Sequence, residues 1–159
     1  YYLNLYNIWS SYSVESEGIV IAYTSVYGNT RKAVELLAKT LEEKGCTVVL
    51  HDLARTDMAE AVEDAFRYDK LVLATTTYNG DVFPFMKEFI HHLTERNYQN
   101  RTVAFVENGS WAPVAGKVMA KMLENSKNLT IAQNNVKIFS ALSDDSRAQI
   151  EALAEELAK

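Results

Sequence analysis

The chain has 159 residues, 48% of them apolar and 23% charged, with a net charge of -5, which fits one globular domain with a core of its own. The acidic balance argues against a nucleic-acid surface, and the lone Cys46 against a disulfide framework or a thiolate metal site. No run approaches the roughly 18 apolar residues of a membrane span, and no basic segment followed by an apolar one marks a signal peptide. A cytoplasmic setting is expected. The first residue is Tyr1 rather than Met, which points to a piece of something longer.

Residues 1–17, YYLNLYNIWSSYSVESE, stand apart from the rest. Tyr2, Leu5, Trp9 and Tyr12 are spaced to share one helical face. The segment reads as an interdomain linker or the remnant of a preceding domain, with an aromatic stripe that docks on a neighbour. From residue 18 to 159 a single domain is expected, in which strand and helix patterns alternate.

GIVIAY (18–23) is a β-branched run of the kind buried in a parallel sheet. A helix is predicted over 30–44 from Val34, Leu37, Ala38 and Leu41, with Gly45 as its stop. TVVLHDL (47–53) is a second strand, and 57–67 a helix through Met58, Ala61, Val62 and Ala65. KLVLATT (70–76) is a third strand, followed by a helix over 83–96 with Pro84 in its first turn. TVAFVEN (102–108) precedes a helix over 113–124, with Val118, Met119, Met122 and Leu123 inward. A last strand is predicted near VKIFSA (136–141), and a last helix over 144–158 through Ile150, Leu153 and Leu157. Five βα repeats imply an α/β three-layer, doubly wound sandwich around a five-stranded parallel sheet.

Ligands of such sheets bind beyond the carboxyl ends of the strands, where the strand order reverses. The loops after the first, third and fourth strands are TSVYGNT (24–30), TTTYNGDVF (75–83) and ENGSW (107–111). Of only six glycines, Gly28, Gly80 and Gly109 fall one in each. In the first loop Thr24, Ser25 and Thr30 supply hydroxyls. Gly28 lets the backbone of Val26, Tyr27 and Asn29 turn its N–H groups inward, at the positive end of the following helix. That arrangement suits a phosphate. The loop holds no lysine for Mg²⁺-nucleotide chemistry, and the dinucleotide pattern GxGxxG is absent, which leaves Asp52 a weak ribose ligand.

The other two loops set aromatics beside glycines. Tyr78 stands next to Asn79 and Gly80 in one, and Trp111 follows Asn108, Gly109 and Ser110 in the other, with a planar ring expected between Tyr78 and Trp111. A phosphate joined to a flat ring describes FMN. No metal site is expected. His91 and His92 are neighbours on one helix and diverge by about 100°, and His51 has no second ligand in view. Cys46 is expected to be a small buried residue.

These loops, in this order on this scaffold, resemble those of the flavodoxins over residues 18–158. The resemblance implies a strand order of 2-1-3-4-5, TSVYGNT as the phosphate loop and the two later loops around the flavin ring, with FMN binding carried over to residues 25–30, to Thr76, Thr77, Tyr78, Asn79 and Gly80, and to Glu107, Asn108, Gly109, Ser110 and Trp111. ATTTYNGDVFP and ENGSWAP look closer still to the C-terminal flavodoxin-like domain of flavodiiron proteins (A-type flavoproteins), and LYNIWSSYS resembles the aromatic segment that precedes it there. That resemblance implies an FMN electron-transfer domain serving a di-iron, metallo-β-lactamase-like domain that reduces oxygen or nitric oxide. It also implies a redox donor such as rubredoxin or a flavin reductase, and a homo-oligomeric parent. No HxExDH-type cluster occurs, so catalysis at iron is not expected within these 159 residues. A free-standing flavodoxin or a small FMN-dependent quinone reductase is the competing reading, although no pyridine-nucleotide signature appears. A signalling receiver of the same fold would need acidic residues where YTSV and TTTY stand.

Overall fold

A computed structural model describes residues 16–24, 29–78, 81–82, 84–108, 115–138 and 143–158. Strand β1 is Ser16–Tyr23, followed by helix α1, Asn29–Glu43, strand β2, Val48–Asp52, and helix α2, Met58–Arg67. Strand β3, Tyr68–Tyr78, and the short β4, Asp81–Val82, lead into α3, Pro84–Glu95. Strand β5, Thr102–Asn108, precedes α4, Ala115–Met122. Strands β6, Thr130–Ile131, and β7, Val136–Ile138, then lead to α5, Asp144–Leu157. The aromatic segment 1–15 lies outside the described residues.

The sheet runs β2-β1-β3-β5, all parallel, and its last lane is shared by β6 and β7. Counted by lanes, this is the expected order 2-1-3-4-5. Alternation along each strand sends side chains to opposite faces. Ile19, Ile21 and Tyr23 join Val34, Leu37 and Leu41 of α1 and Ile150 and Leu153 of α5 in one buried cluster. Val20 and Ala22 face a second cluster built on Val62 of α2, Phe89 and Leu93 of α3 and Met119 of α4. The result is three layers. Cys46 is half-buried at the margin of the first cluster, not fully inside it.

Local chemistry sets the helix ends. Helix α1 closes with the Gly45 N–H on the Glu42 carbonyl and the Cys46 N–H on the Leu41 carbonyl, with Gly45 at φ +88. That left-handed cap favours glycine. Asn97 does the same for α3 at φ 57, with the Tyr98 N–H on the Leu93 carbonyl. Asp57 caps α2 and Ser143 caps α5 by accepting from the N–H groups of Ala59 and Ser146.

Two elements differ from the sequence reading. The stretch 75–83, expected as a loop, begins as strand. Thr77 and Tyr78 pair antiparallel with Val82 and Asp81, as β-branched and aromatic residues on either side of an Asn-Gly dipeptide favour. The last strand, expected over 136–141, is described only as far as Ile138, and a further pair, Thr130–Ile131, precedes it on the same lane. Between them the Asn135 side chain replaces the missing ladder, its Oδ1 accepting from the Phe105 N–H at 2.9 Å. Glu156 of α5 accepts from the N–H groups of Gln133 and Asn134, and Gln149 Oε1 from that of Lys137. Helix α5 thereby closes an edge that would otherwise offer donors to another chain. Glu156→Ala is expected to destabilise the domain by about 1–2 kcal/mol and to raise its tendency to aggregate, as read by urea denaturation and light scattering.

Tyr98 packs its ring edge-on to Phe66 at 5.1 Å, and burial raises its hydroxyl pKa well above the ordinary value. Among the described residues that buried hydroxyl has no hydrogen-bond partner. Tyr98→Phe should therefore leave stability unchanged or raise it by up to about 1 kcal/mol. A fall in melting temperature would show that the hydroxyl is satisfied.

Candidate functional site

Helices α1, α2, α4 and α5 each follow a strand of the parallel sheet, and α3 follows the short antiparallel β4 at the end of β3, so all five helix N-termini gather at the carboxyl end of the parallel strands. There the core turns polar. Among the described residues the buried polar side chains are Thr24, Thr30, His51, Thr75, Arg101, Glu107, Asn108 and Ser146. Five of the eight, Thr24, Thr30, Thr75, Glu107 and Asn108, lie at this end of the three central strands or in the first turn of α1.

Thr24 extends β1 by one residue, its N–H bonded to the Ala74 carbonyl at 3.0 Å. Its hydroxyl lies 2.6 Å from that of Thr75. Thr75 stands in register with Glu107, and Glu107 with Lys137 of β7. One polar rung, Thr24–Thr75–Glu107–Lys137, thus crosses the sheet on the face covered by α3 and α4. The rung below it is Ala22, Leu73 and Phe105, all buried. On the opposite face the Asn108 amide donates to the Thr30 hydroxyl at 3.4 Å, tying the first turn of α1 to the end of β5.

The helix N-termini are not equivalent. Helix α2 is occupied by Asp57 and Glu60, and α5 by Ser143, Asp144 and Asp145. The first turn of α4 is occupied by Glu107, whose carboxylate accepts the Gly116 N–H. Helix α3 opens on Pro84, which brings no N–H. Helix α1 has no acidic side chain in its first turn and carries Thr30, Arg31 and Lys32 there. Among the described residues its first turn holds the Thr30 hydroxyl and no carboxylate, and unlike α3 it does not open on proline. Arg31 is paired with Glu35 at 3.0 Å, which raises its pKa. Burial, then Asp52, pushes the Tyr23 phenol above its ordinary range.

The residues expected to form the site divide as follows. Thr24, Thr30, Glu107 and Asn108 come together as described. Asn29 opens α1, and Thr76, Thr77 and Tyr78 are backbone members of β3, with Thr76 in register with Asn108. Ser25, Val26, Tyr27, Gly28, Asn79, Gly80, Gly109, Ser110 and Trp111 lie outside the described residues. The structure adds Thr75, Gly116 and Lys137. Thr75 stood inside a quoted loop, but register alone brings Lys137 to Glu107. His51 is buried on β2 with Nε2 2.7 Å from the Asp64 carboxylate, a contact within the fold. His91 and His92 pair with glutamates of their own helix.

The family model described as "Flavodoxin domain" matches residues 20–140, from β1 past β7 and across all three loops. The chain belongs to the flavodoxin domain family. This flavodoxin domain is 21% identical over 133 residues to the anaerobic nitric oxide reductase flavorubredoxin of Pectobacterium atrosepticum, a match covering 82% of this chain and 26% of that one. Among solved structures it resembles the rubredoxin oxygen:oxidoreductase of Desulfovibrio gigas, with a TM-score of 0.90 at 18% identity over 98% of this chain and 38% of that one. The flavodiiron protein of Giardia intestinalis gives 0.85 at 14%, over 98% and 39%. These likenesses establish the fold. The flavodoxin domain thus spans about a quarter of the flavorubredoxin it matches and under two fifths of either solved chain. Among the described residues no helix is long and apolar enough to cross a membrane.

Proposed function

We propose that this flavodoxin domain binds FMN and passes electrons to a di-iron centre elsewhere in a cytoplasmic, homo-oligomeric parent protein that receives them from a rubredoxin or a flavin reductase. The observation that carries the FMN reading is the α1 N-terminus. Among the described residues its first turn carries the Thr30 hydroxyl with no acidic side chain in place, and TSVYGNT runs into it. A phosphate monoester there is held by the N–H groups and hydroxyls of residues 25–30. Bound FMN supplies a centre that takes up and releases one or two electrons.

The chain's own residues do the rest. The Thr24–Thr75 bond fixes where the first loop leaves the sheet. The Asn108–Thr30 bond fixes the spacing between the phosphate loop and the β5 loop. Tyr78 and Trp111 would hold the ring and shield it from water. The di-iron centre and the donor rest on the names of the flavorubredoxin, oxidoreductase and flavodiiron relatives.

Titration with FMN, followed by flavin fluorescence, tests the reading. One FMN per chain is expected to bind at about micromolar concentration or tighter, with strong quenching that Trp111→Ala largely relieves. No uptake at tens of micromolar would overturn it.

A further inference from the structure

We infer that the free edge of β2 is a docking surface for a second copy of this chain, paired antiparallel across a two-fold axis so that the sheet runs on from one molecule into the other. The inference stands apart from the FMN reading.

The β1–β2 ladder decides which groups face outward. The Ile19 N–H bonds to the Thr47 carbonyl and the Leu53 N–H to the Tyr23 carbonyl, both at 2.9 Å. With Ile19 opposite Val48 and Ile21 opposite Leu50, residues 47, 49, 51 and 53 turn their main-chain groups toward β1. Val48 and Leu50 therefore turn theirs away from the sheet. Asp52, the next outward residue, is occupied by its own turn. Its carbonyl accepts the N–H groups of Arg55 and Thr56, and its side chain that of Ala54.

The other edge of the sheet is closed. There Glu156 and Gln149 hold the N–H groups of Gln133, Asn134 and Lys137. Nothing among the described residues does the same for Val48 and Leu50. Leu50 is 41% exposed, and the stretch GCTVVL (45–50) carries no charge to repel a neighbouring strand.

The spacing suits self-pairing. A two-fold axis at Val49 sets Val48 beside Leu50 of the second copy and Leu50 beside its Val48. Each pair exchanges two N–H···O=C bonds, and every outward group of these residues is satisfied. The ends of the ribbon are complementary in charge. Arg55, just past the carboxyl end of β2, has a 78% exposed side chain and lies 3.9 Å from Asp52. It comes opposite the amino end of the other β2, where α1 closes with Glu42 and Glu43 and no basic residue in its last turn. Lys44, beyond that turn, is held by Glu155 at 2.9 Å. The negative end of the helix adds to the attraction for Arg55.

Sedimentation velocity of the 159-residue chain at low and high concentration, with amide hydrogen exchange at both, tests the inference. A dimer is expected at about tens to hundreds of micromolar, with the Val48 and Leu50 amides protected only as it forms. Leu50→Lys brings two ammonium groups together across the axis and is expected to weaken the dimer at least about tenfold. Arg55→Glu should weaken it about fivefold, and Glu42→Arg with Glu43→Arg in the same chain should restore it. Should Leu50→Lys fail to fold, Arg55→Glu and its rescue decide. A wild type that stays monomeric at about 500 micromolar, or a dimer that neither variant weakens, would overturn the inference. So would Val48 and Leu50 amides already protected in the monomer, because a segment of the same chain would then cover this edge. FMN uptake by the same samples bears on the flavin reading alone.

Discussion

Riboflavin is expected to bind this domain at least about a hundredfold more weakly than FMN. The two ligands share the ring and the ribityl chain and differ only in the terminal phosphate, so the comparison isolates what the α1 N-terminus contributes. Hydrogen bonds to a charged group contribute about 1.5–3 kcal/mol each, and two of them already account for a factor of a hundred. The other four helix ends offer no substitute. Three already hold carboxylates, from Asp57 and Glu60, from Glu107, and from Asp144 and Asp145, and α3 opens on Pro84. Isothermal titration with both ligands checks this. Equal affinities would mean that the ring alone drives binding and that the first loop is only a turn.

Arg101→Met is expected to cost the domain about 3–5 kcal/mol, enough to unfold a large share of molecules at physiological temperature. Arg101 is only 3% exposed, yet it lies in no part of the ligand site. Its guanidinium donates to the carbonyls of Phe66 at 2.6 Å, Tyr68 at 3.1 Å, Gln99 at 3.0 Å and Asn100 at 3.2 Å. It also lies 5.9 Å from the centroid of the Tyr98 ring. These carbonyls belong to the end of α2, the start of β3 and the turn before β5, so one side chain staples three segments at the amino end of the sheet. Burial lowers its pKa from the ordinary guanidinium value. Methionine keeps much of the volume and leaves the carbonyls unpaired, so the loss measures the polar network and not the packing. Chemical denaturation reads the difference, and FMN affinity per folded molecule should stay as in the wild type. A cost below about 1 kcal/mol would mean that water replaces the guanidinium without penalty.

Much of the fold is legible in the sequence because it is written in period. Val34, Leu37, Ala38 and Leu41 recur at helical spacing, and all four are buried in α1. GIVIAY and the VAFV of TVAFVEN are apolar because both of their faces are covered. What period cannot show is a side chain standing in for backbone. Asn135 fills the gap between β6 and β7 with its amide, so the last lane begins before the residues that look like a strand. In the β3–β4 pairing the cue was present, since Asn-Gly sits between the two short segments that pair.

The site follows the same division. Thr24, Thr30 and Asn108 were legible as loop residues with hydrogen-bonding groups, and the structure places them at the carboxyl end of the central strands. Glu107 was legible as a member of its loop, but the orientation of its carboxylate was not. That depends on Gly116, nine residues on, and on Lys137, which parallel register alone carries to its side. Arg101 likewise reads as an ordinary surface cation until the carbonyls around it are located.

The central claim is that one anion-bearing flavin sits with its phosphate on the first turn of α1 and its ring between the β3 and β5 loops. Amide chemical-shift mapping of ¹⁵N-labelled protein during titration with FMN tests it most directly. The account predicts saturation at one equivalent, with the largest shifts at residues 25–31 and further shifts at 76–80 and 107–111. Shifts centred on the N-termini of α2 or α5, or none at saturating FMN, would contradict it.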